Sequence, residues 1–368
     1  MGQSVIGHTR DKVDTPALLI DLEKLESNIN KMAEFFQGKD AKLRPHAKTH
    51  KTPIIALNQL KSGAIGITCQ KLSEAEVMAR SGIRDILISN QIVGVRKIER
   101  LVQLAKQNDL KVAADNRQNI EDLAEAARNE RVEIGILVEV DIGMHRCGVP
   151  PGEPAFELAS SIERQKGLRF MGLMGYEGHT VTIPAYQLRK HEASKALQLL
   201  TDTKKLIEGK GIQCPIVSAG GTGTYDIAGS FPGITEIQAG SYATMDAKYS
   251  TVEGIGGTFK QALTLLATVI SRPSEDRAII DAGMKAISCE FGMPILEISN
   301  MSLELSSLAE EHGIIDLPPP AQYLKVGDMV ELIPTHGCTT INLHDYLHGI
   351  REGRVECVWP IEGRGKFV

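Results

Sequence analysis

KVAADNRQNIEDLAEAARNERVEIGILVEV, residues 111–140, reads as one strand–helix–strand unit: an apolar run at 111–114, an amphipathic stretch at 120–129, then a second apolar run at 133–140. Short apolar runs separated by stretches at helical spacing predict parallel strands joined by crossover helices. The unit repeats in both directions. Strands are expected at 41–43, 64–68, 85–89, 111–114, 133–140, 169–175, 215–219 and 236–239, which makes eight. Between them helices are expected at 54–60, 72–81, 95–107, 120–129, 155–164 and 186–208, with a short segment at 224–228. An earlier helix at 22–36 places Leu25, Ile29 and Met32 on one face. Eight regular alternations over roughly 200 residues predict a (β/α)8 barrel of the TIM type rather than an open sheet.

Beyond about Phe259 the pattern changes to strands at 263–270, 277–281, 297–304, 329–333 and 354–359, joined by Gly, Pro and Asn turns. The expected organisation is a barrel over 22–258 and a β-rich domain formed by 1–21 with 259–368.

The chain has 368 residues, 42% apolar and 24% charged, which are ordinary globular values. A net charge of −5 argues against a nucleic-acid or membrane-surface role, so small molecules are the expected partners. No run of about 18 apolar residues occurs, and the first residues lack an apolar signal core. Six scattered cysteines without a CxxC pair fit a reduced, cytoplasmic protein. Cys69, Cys147 and Cys357 are expected to be buried small hydrophobes.

In such a barrel the reacting groups lie on the loops after the strands. RPHAKTHK, residues 44–51, follows the first strand and sets Lys48 beside Arg44, His46, His50 and Lys51. Neighbouring cations disfavour the ammonium form, as a Schiff-base lysine requires. A basic cluster also reads as a solvated face or an anion site. The segment 218–224, SAGGTGT, follows a strand and could cradle one phosphate with backbone N–H groups and the hydroxyl of Thr222 or Thr224; a tight turn would look the same. A second loop, 239–242, could close the same pocket. In the β domain His336 and Cys338 are two residues apart, on one face if the backbone is extended. The pair suits Zn²⁺ with open coordination positions, although HxC also arises by accident.

RPHAKTHK, ITCQKLSEAEVM, GMHRCGV, GYEGH, SAGGTGTYD, EIQAGSY and THGCTTINLHD, in this order, resemble the fold-type III pyridoxal-phosphate enzymes of the D-threonine aldolase and D-serine dehydratase family. The resemblance runs over nearly the whole chain. It implies an alanine-racemase-like barrel with a C-terminal β domain, in a homodimer. It implies Lys48 as the residue that holds pyridoxal 5'-phosphate, Arg146 near the phenolic oxygen and Tyr176 near the ring. Gly221, Thr222, Gly240, Ser241 and Tyr242 would hold the phosphate, and His336 with Cys338 a divalent metal beside the cofactor. A thiolate ligand favours Zn²⁺ over Mn²⁺ or Mg²⁺.

The substrate so implied is a D-3-hydroxy amino acid. If a base removes the hydroxyl proton, the Cα–Cβ bond breaks to give glycine and an aldehyde. If Lys48 removes the Cα proton and the hydroxyl leaves, the products are a keto acid and ammonia. His179 is the expected base or relay, the alternative being that it only orients Tyr176 or the cofactor. The longer stretches resemble the aldolases acting on D-threonine or 3-hydroxyaspartate, whereas His-x-Cys resembles the dehydratases. An aldolase is therefore expected, with a dehydratase as alternative. An amino-acid racemase would share Lys48 but have no use for a metal, and a non-catalytic cofactor-binding protein would not need the His336–Cys338 pair.

Overall fold

The computed structural model describes residues 5–298, 301–319 and 324–368. Strand β1 (Ala17–Asp21) runs into helix α1 (Leu22–Phe36), and then the alternation begins. It passes through β2 (Lys42–Leu43), α2 (Pro53–Lys61), β3 (Ile67–Cys69), α3 (Leu72–Arg80), β4 (Asp85–Gln91), α4 (Val95–Ala105), β5 (Asp109–Ala114), α5 (Arg117–Glu130) and β6 (Ile134–Glu139). It continues through α6 (Glu153–Glu163), β7 (Leu168–Met174), α7 (Tyr186–Gly209), β8 (Ile216–Ala219), α8 (Tyr225–Ala228) and β9 (Glu236–Ile237). The local chemistry explains the elements. At the start of α5 the Asn116 side chain accepts the Asn119 N–H, and the helix ends where Arg131 turns left-handed at φ 56°. Its buried positions Ile120, Leu123, Ala124 and Ala127 form one stripe. All six residues of β6 are buried, as parallel strands covered on both faces require.

Strands β2 to β9 pair in parallel in the order β2-β9-β8-β7-β6-β5-β4-β3. The ring closes between its ends. Ile65 N donates to Leu43 O at 3.0 Å, Thr68 N to Pro45 O at 2.9 Å and Ala47 N to Thr68 O at 2.8 Å. Leu87, Ala113, Leu137 and Met174 form a buried cluster across four neighbouring strands. Gly172, at φ 135°, lies where the β7 backbone passes so close to Ile216 that any Cβ would overlap its carbonyl.

The remaining strands are β10 (Leu263–Ser274), β11 (Arg277–Ile280), β12 (Ile295–Ile298), β13 (Met301–Glu304), β14 (Ser307–Leu308), β15 (Gly313–Asp316), β16 (Met329–Ile333), β17 (Tyr346–Arg351) and β18 (Arg354–Pro360). Helix α9 (Ala247–Ser250) precedes them and α10 (Gly337–Ile341) lies between β16 and β17. The sheet order is β13-β12-β16-β10-β1-β17-β18; β11 pairs with β10, β15 with β11, and β14 with β15. β1 lies inside it, antiparallel to β10 and parallel to β17. Val13, Ala17, Leu19, Leu266 and Val355 pack as one core. The single strand expected at 297–304 is instead the hairpin β12–β13, whose connecting residues 299–300 lie outside the described residues.

The chain divides into two compact units. One comprises Met32–Lys48, Pro53–Gly240 and Gly365–Val368 and holds the barrel; the other comprises Met1–Lys31, Thr49–Thr52 and Ser241–Arg364. No helix of the described residues is long and apolar enough to cross a membrane.

Candidate active site

All barrel strands point the same way, so the loops after them share one rim. Lys48 follows β2 and is half-buried. Its backbone N–H donates to His46 Nδ1 at 3.4 Å, and His46 Nε2 faces Ser89 Oγ at 3.1 Å. Of the cations expected around Lys48, Arg44 is held by other partners. It is buried, its Nε on Glu236 at 2.8 Å and its Nη1 on Asp85 at 2.6 Å. His46 and His50 both accept backbone N–H groups on Nδ1, from Lys48 at 3.4 Å and from Thr52 at 3.1 Å.

Beyond β6, Asp141 builds the loop that presents Arg146. It accepts the N–H groups of Gly143 and His145 at 3.0 Å each, and its Oδ2 meets His145 Nδ1 at 2.9 Å. Burial opposes ionisation, but these partners prevail and hold the Asp141 carboxyl below its ordinary range. Arg146 lies 5.7 Å over the Tyr176 ring and 3.9 Å from buried Glu139. Glu139, its pKa pushed up by burial, accepts from Gln91 Nε2 at 2.5 Å, and Gln91 also donates to Asp115 at 3.0 Å. Asp115, Glu139 and Cys147 bring possible ligand atoms within 4.8 Å of one another. Cys147 is exposed rather than a buried hydrophobe, because the loop carries it out of the barrel wall.

After β7, Tyr176 packs against the glycine loop: a Cβ on Gly221 would stand 3.1 Å from the phenolic oxygen. Exposed His179 lies over Gly143, where a Cβ would stand 3.1 Å from Cε1. The loop after β8 turns at Gly220, φ 79°, into a 3-10 turn over Thr222–Thr224. Thr224, a sequence candidate for a phosphate hydroxyl, instead donates to Glu177 at 2.6 Å, so its proton is committed inside the protein. Thr222 is buried in the same turn. Gly240 follows β9 on the same rim.

The other unit places Ser241, Tyr242, His336 and Cys338. Tyr242 is fully buried, its ring 5.7 Å from Phe259. His336 and Cys338 do not alternate along an extended strand. His336, with φ −139° and ψ 107°, caps α10, and Cys338 lies in the first turn of that helix. Buried Asp246 fixes this corner by accepting Gly337 N–H at 3.2 Å and Tyr249 N–H at 2.9 Å. His336 Nδ1 contacts Glu290 at 2.6 Å, and Phe291 stacks on the imidazole at 4.6 Å. Burial disfavours the imidazolium, but Cys338 and Glu290 beside it prevail, and the pKa is pushed up to about 9. A cation bound there would release a proton. Cys338 Sγ lies 3.4 Å from Thr49 Oγ1 and 3.9 Å from Ser241 Oγ; Thr49 is the residue that follows Lys48 in the chain.

Glu139, Glu177, Asp246 and Glu290 were not assigned from sequence. The only signal available was an acidic residue ending an apolar strand, visible for Glu139 and nearly so for Glu177 within GYEGH.

The profile of the family described as alanine racemase, N-terminal domain, matches residues 20–248, and that of a serine dehydratase domain matches 262–350. The chain is 39% identical to a D-threonine aldolase of Arthrobacter sp, over 96% of this chain and 93% of that one. It is 35% identical to a 3-hydroxy-D-aspartate aldolase of Paracoccus denitrificans (strain Pd 1222), over 98% and 94%. A D-threo-3-hydroxyaspartate dehydratase of Delftia sp. (strain HT23) is 27% identical over 89% and 92%. Among solved structures, a D-threonine aldolase from Filomicrobium marinum superposes with a TM-score of 0.96 at 38% identity, covering 99% of both chains.

Proposed function

Given that the chain belongs to the alanine racemase N-terminal domain family, we propose that it is a pyridoxal-phosphate-dependent carbon–carbon lyase. Its substrate is a D-3-hydroxy amino acid of the D-threonine or 3-hydroxy-D-aspartate type, cleaved to glycine and an aldehyde. The observation that carries this reading is end-to-end identity of 39% and 35% with two aldolases, against 27% with a dehydratase.

The residues present fit the cofactor. Gly221 leaves Tyr176 and the loop backbone side by side, a cradle that any Cβ would fill. Lys48 would hold the aldehyde carbon, Arg146 the phenolic oxygen, and Tyr176 the ring edge. Gly221, Thr222, Gly240, Ser241 and Tyr242 would hold the phosphate through backbone and hydroxyl donors. The imidazole and thiol of His336 and Cys338 suit a divalent cation, Zn²⁺ before Mn²⁺ or Mg²⁺. When bound, the cofactor supplies an electron sink at Cα and the cation lowers the pKa of the 3-hydroxyl. His179, exposed on its loop, takes the hydroxyl proton, and Glu290 orients the His336 ring. The reading includes a homodimer in the cytoplasm, and light scattering tests the assembly.

Cys338 and the serine dehydratase match over 262–350 favour a second reading, elimination to a keto acid and ammonia. Product analysis separates the two. The protein is incubated with pyridoxal phosphate, D-threonine, D-serine and D-3-hydroxyaspartate, with Zn²⁺ or Mn²⁺ and with a chelator. Glycine plus aldehyde, lost on chelation, is expected; keto acid plus ammonia would replace the aldolase with the dehydratase.

A further inference from the structure

Glu177 has no solvent-accessible surface, yet its partners all belong to loops at the rim. Oε1 accepts the Thr224 hydroxyl at 2.6 Å, and Oε2 accepts the Gly220 N–H at 3.2 Å. The Thr224 oxygen in turn accepts the Gly221 N–H at 3.2 Å. One carboxyl therefore fixes, directly or through one hydroxyl, the two amides that open the glycine loop, including left-handed Gly220. The same residue anchors the next turn: its carbonyl accepts both the N–H and the hydroxyl of Thr180 at 2.9 Å. His179 lies within that turn and Tyr176, which packs on Gly221, directly precedes Glu177. Burying a carboxyl raises its pKa and is costly unless every oxygen is used. Here both oxygens are used on one loop.

We infer that Glu177 is a positioning residue that pre-forms the 220–224 loop for the phosphate of the cofactor. The inference rests on the reading that this loop takes the phosphate. The alternative is that Glu177 only contributes to folding. The two differ in what they predict for a ligand without the phosphate. A preformed loop spares the ordering cost of binding a phosphate and does nothing for a ligand lacking one.

The test uses the cofactor-stripped full chain titrated calorimetrically with pyridoxal phosphate and with pyridoxal. In Glu177→Gln the amide can still accept from Thr224, but its NH₂ faces the Gly220 N–H, donor against donor. The Kd for pyridoxal phosphate is expected to rise about tenfold while that for pyridoxal changes by less than about twofold. Thr224→Val, which removes the bridging hydroxyl, should reproduce the change even if the Gln variant fails to fold, and Thr224→Ser should restore wild-type values. An unchanged ratio of the two dissociation constants in the folded variants overturns the inference. If the wild-type chain binds both ligands equally, the phosphate reading of the loop fails instead, so the two failures are distinguishable.

Discussion

The two ends of the barrel use charge in opposite ways. Where the strands begin, every described ionic side chain of the inner network has an opposite charge beside it: Arg44 meets Glu236 and Asp85, and Lys111 meets Asp85 at 2.9 Å and Asp109 at 2.8 Å. Asp85 accordingly has its carboxyl held below the ordinary range, Arg44 and Lys111 overcoming the effect of burial. Where the strands end, the buried carboxyls Glu139 and Glu177 are instead pushed up by burial, which the amide and hydroxyl donors around them only partly offset. Matched charges hold a fold together; carboxyls buried against neutral donors mark the end at which loops are being arranged for a ligand.

The sharpest way to break this contrast is at Lys48. Lys48→Ala should lower turnover by at least about 10³-fold and abolish the cofactor's visible absorbance shift, with unfolding in urea unaffected. Arg44→Ala should do the reverse. Leaving buried Glu236 without its cation should destabilise the fold by about 3–5 kcal/mol in urea titrations, with kcat of the folded fraction unchanged. Equal loss of kcat in the two variants would erase the distinction between the ends.

A smaller effect is expected at the His336 corner, where Glu290→Gln should weaken Zn²⁺ binding about 10–100-fold in a competition titration. Retained affinity would mean that Glu290 does not orient the ring. The smallest effect concerns pH. The folded pKa of Glu177 lies above its unfolded value, so its contribution to stability is full below the unfolded pKa and is lost as pH rises through the folded one. Glu177→Gln lacks this dependence. The stability difference should therefore shift in favour of the Gln variant as pH rises above about 4.5, the ordinary Glu value, as denaturation at several pH values would measure.

The barrel was legible because its signal is local. Alternating runs place each strand within a few residues of its position, and α1 appears over the residues that the periodicity of Leu25, Ile29 and Met32 selects. The β sheet was less so. β17, YLHGIR, carries a histidine and a glycine, and its place beside β1 depends on a pairing more than 300 residues away in the chain. In the candidate site, the glycine loop, Lys48 and the His336–Cys338 pair could be found by residue type. Their surroundings could not. RPHAKTHK looks like a cluster of positive charge, but carboxylates from distant strands, Glu236 and Asp85, neutralise Arg44.

The sequence by itself determined the alternation, the approximate number of barrel strands, the family resemblance and the residue types available at the rim, since periodicity and motif order are properties of neighbouring residues. Tertiary structure decided the rest. It placed 241–258 with the β unit, set β1 between β10 and β17 in a sheet built largely from the other end of the chain, paired Arg44 with Glu236 and Asp85 and turned Glu177 onto the glycine loop. Each of these depends on which distant groups satisfy a buried charge or backbone amide, and that choice exists only once the chain has closed on itself.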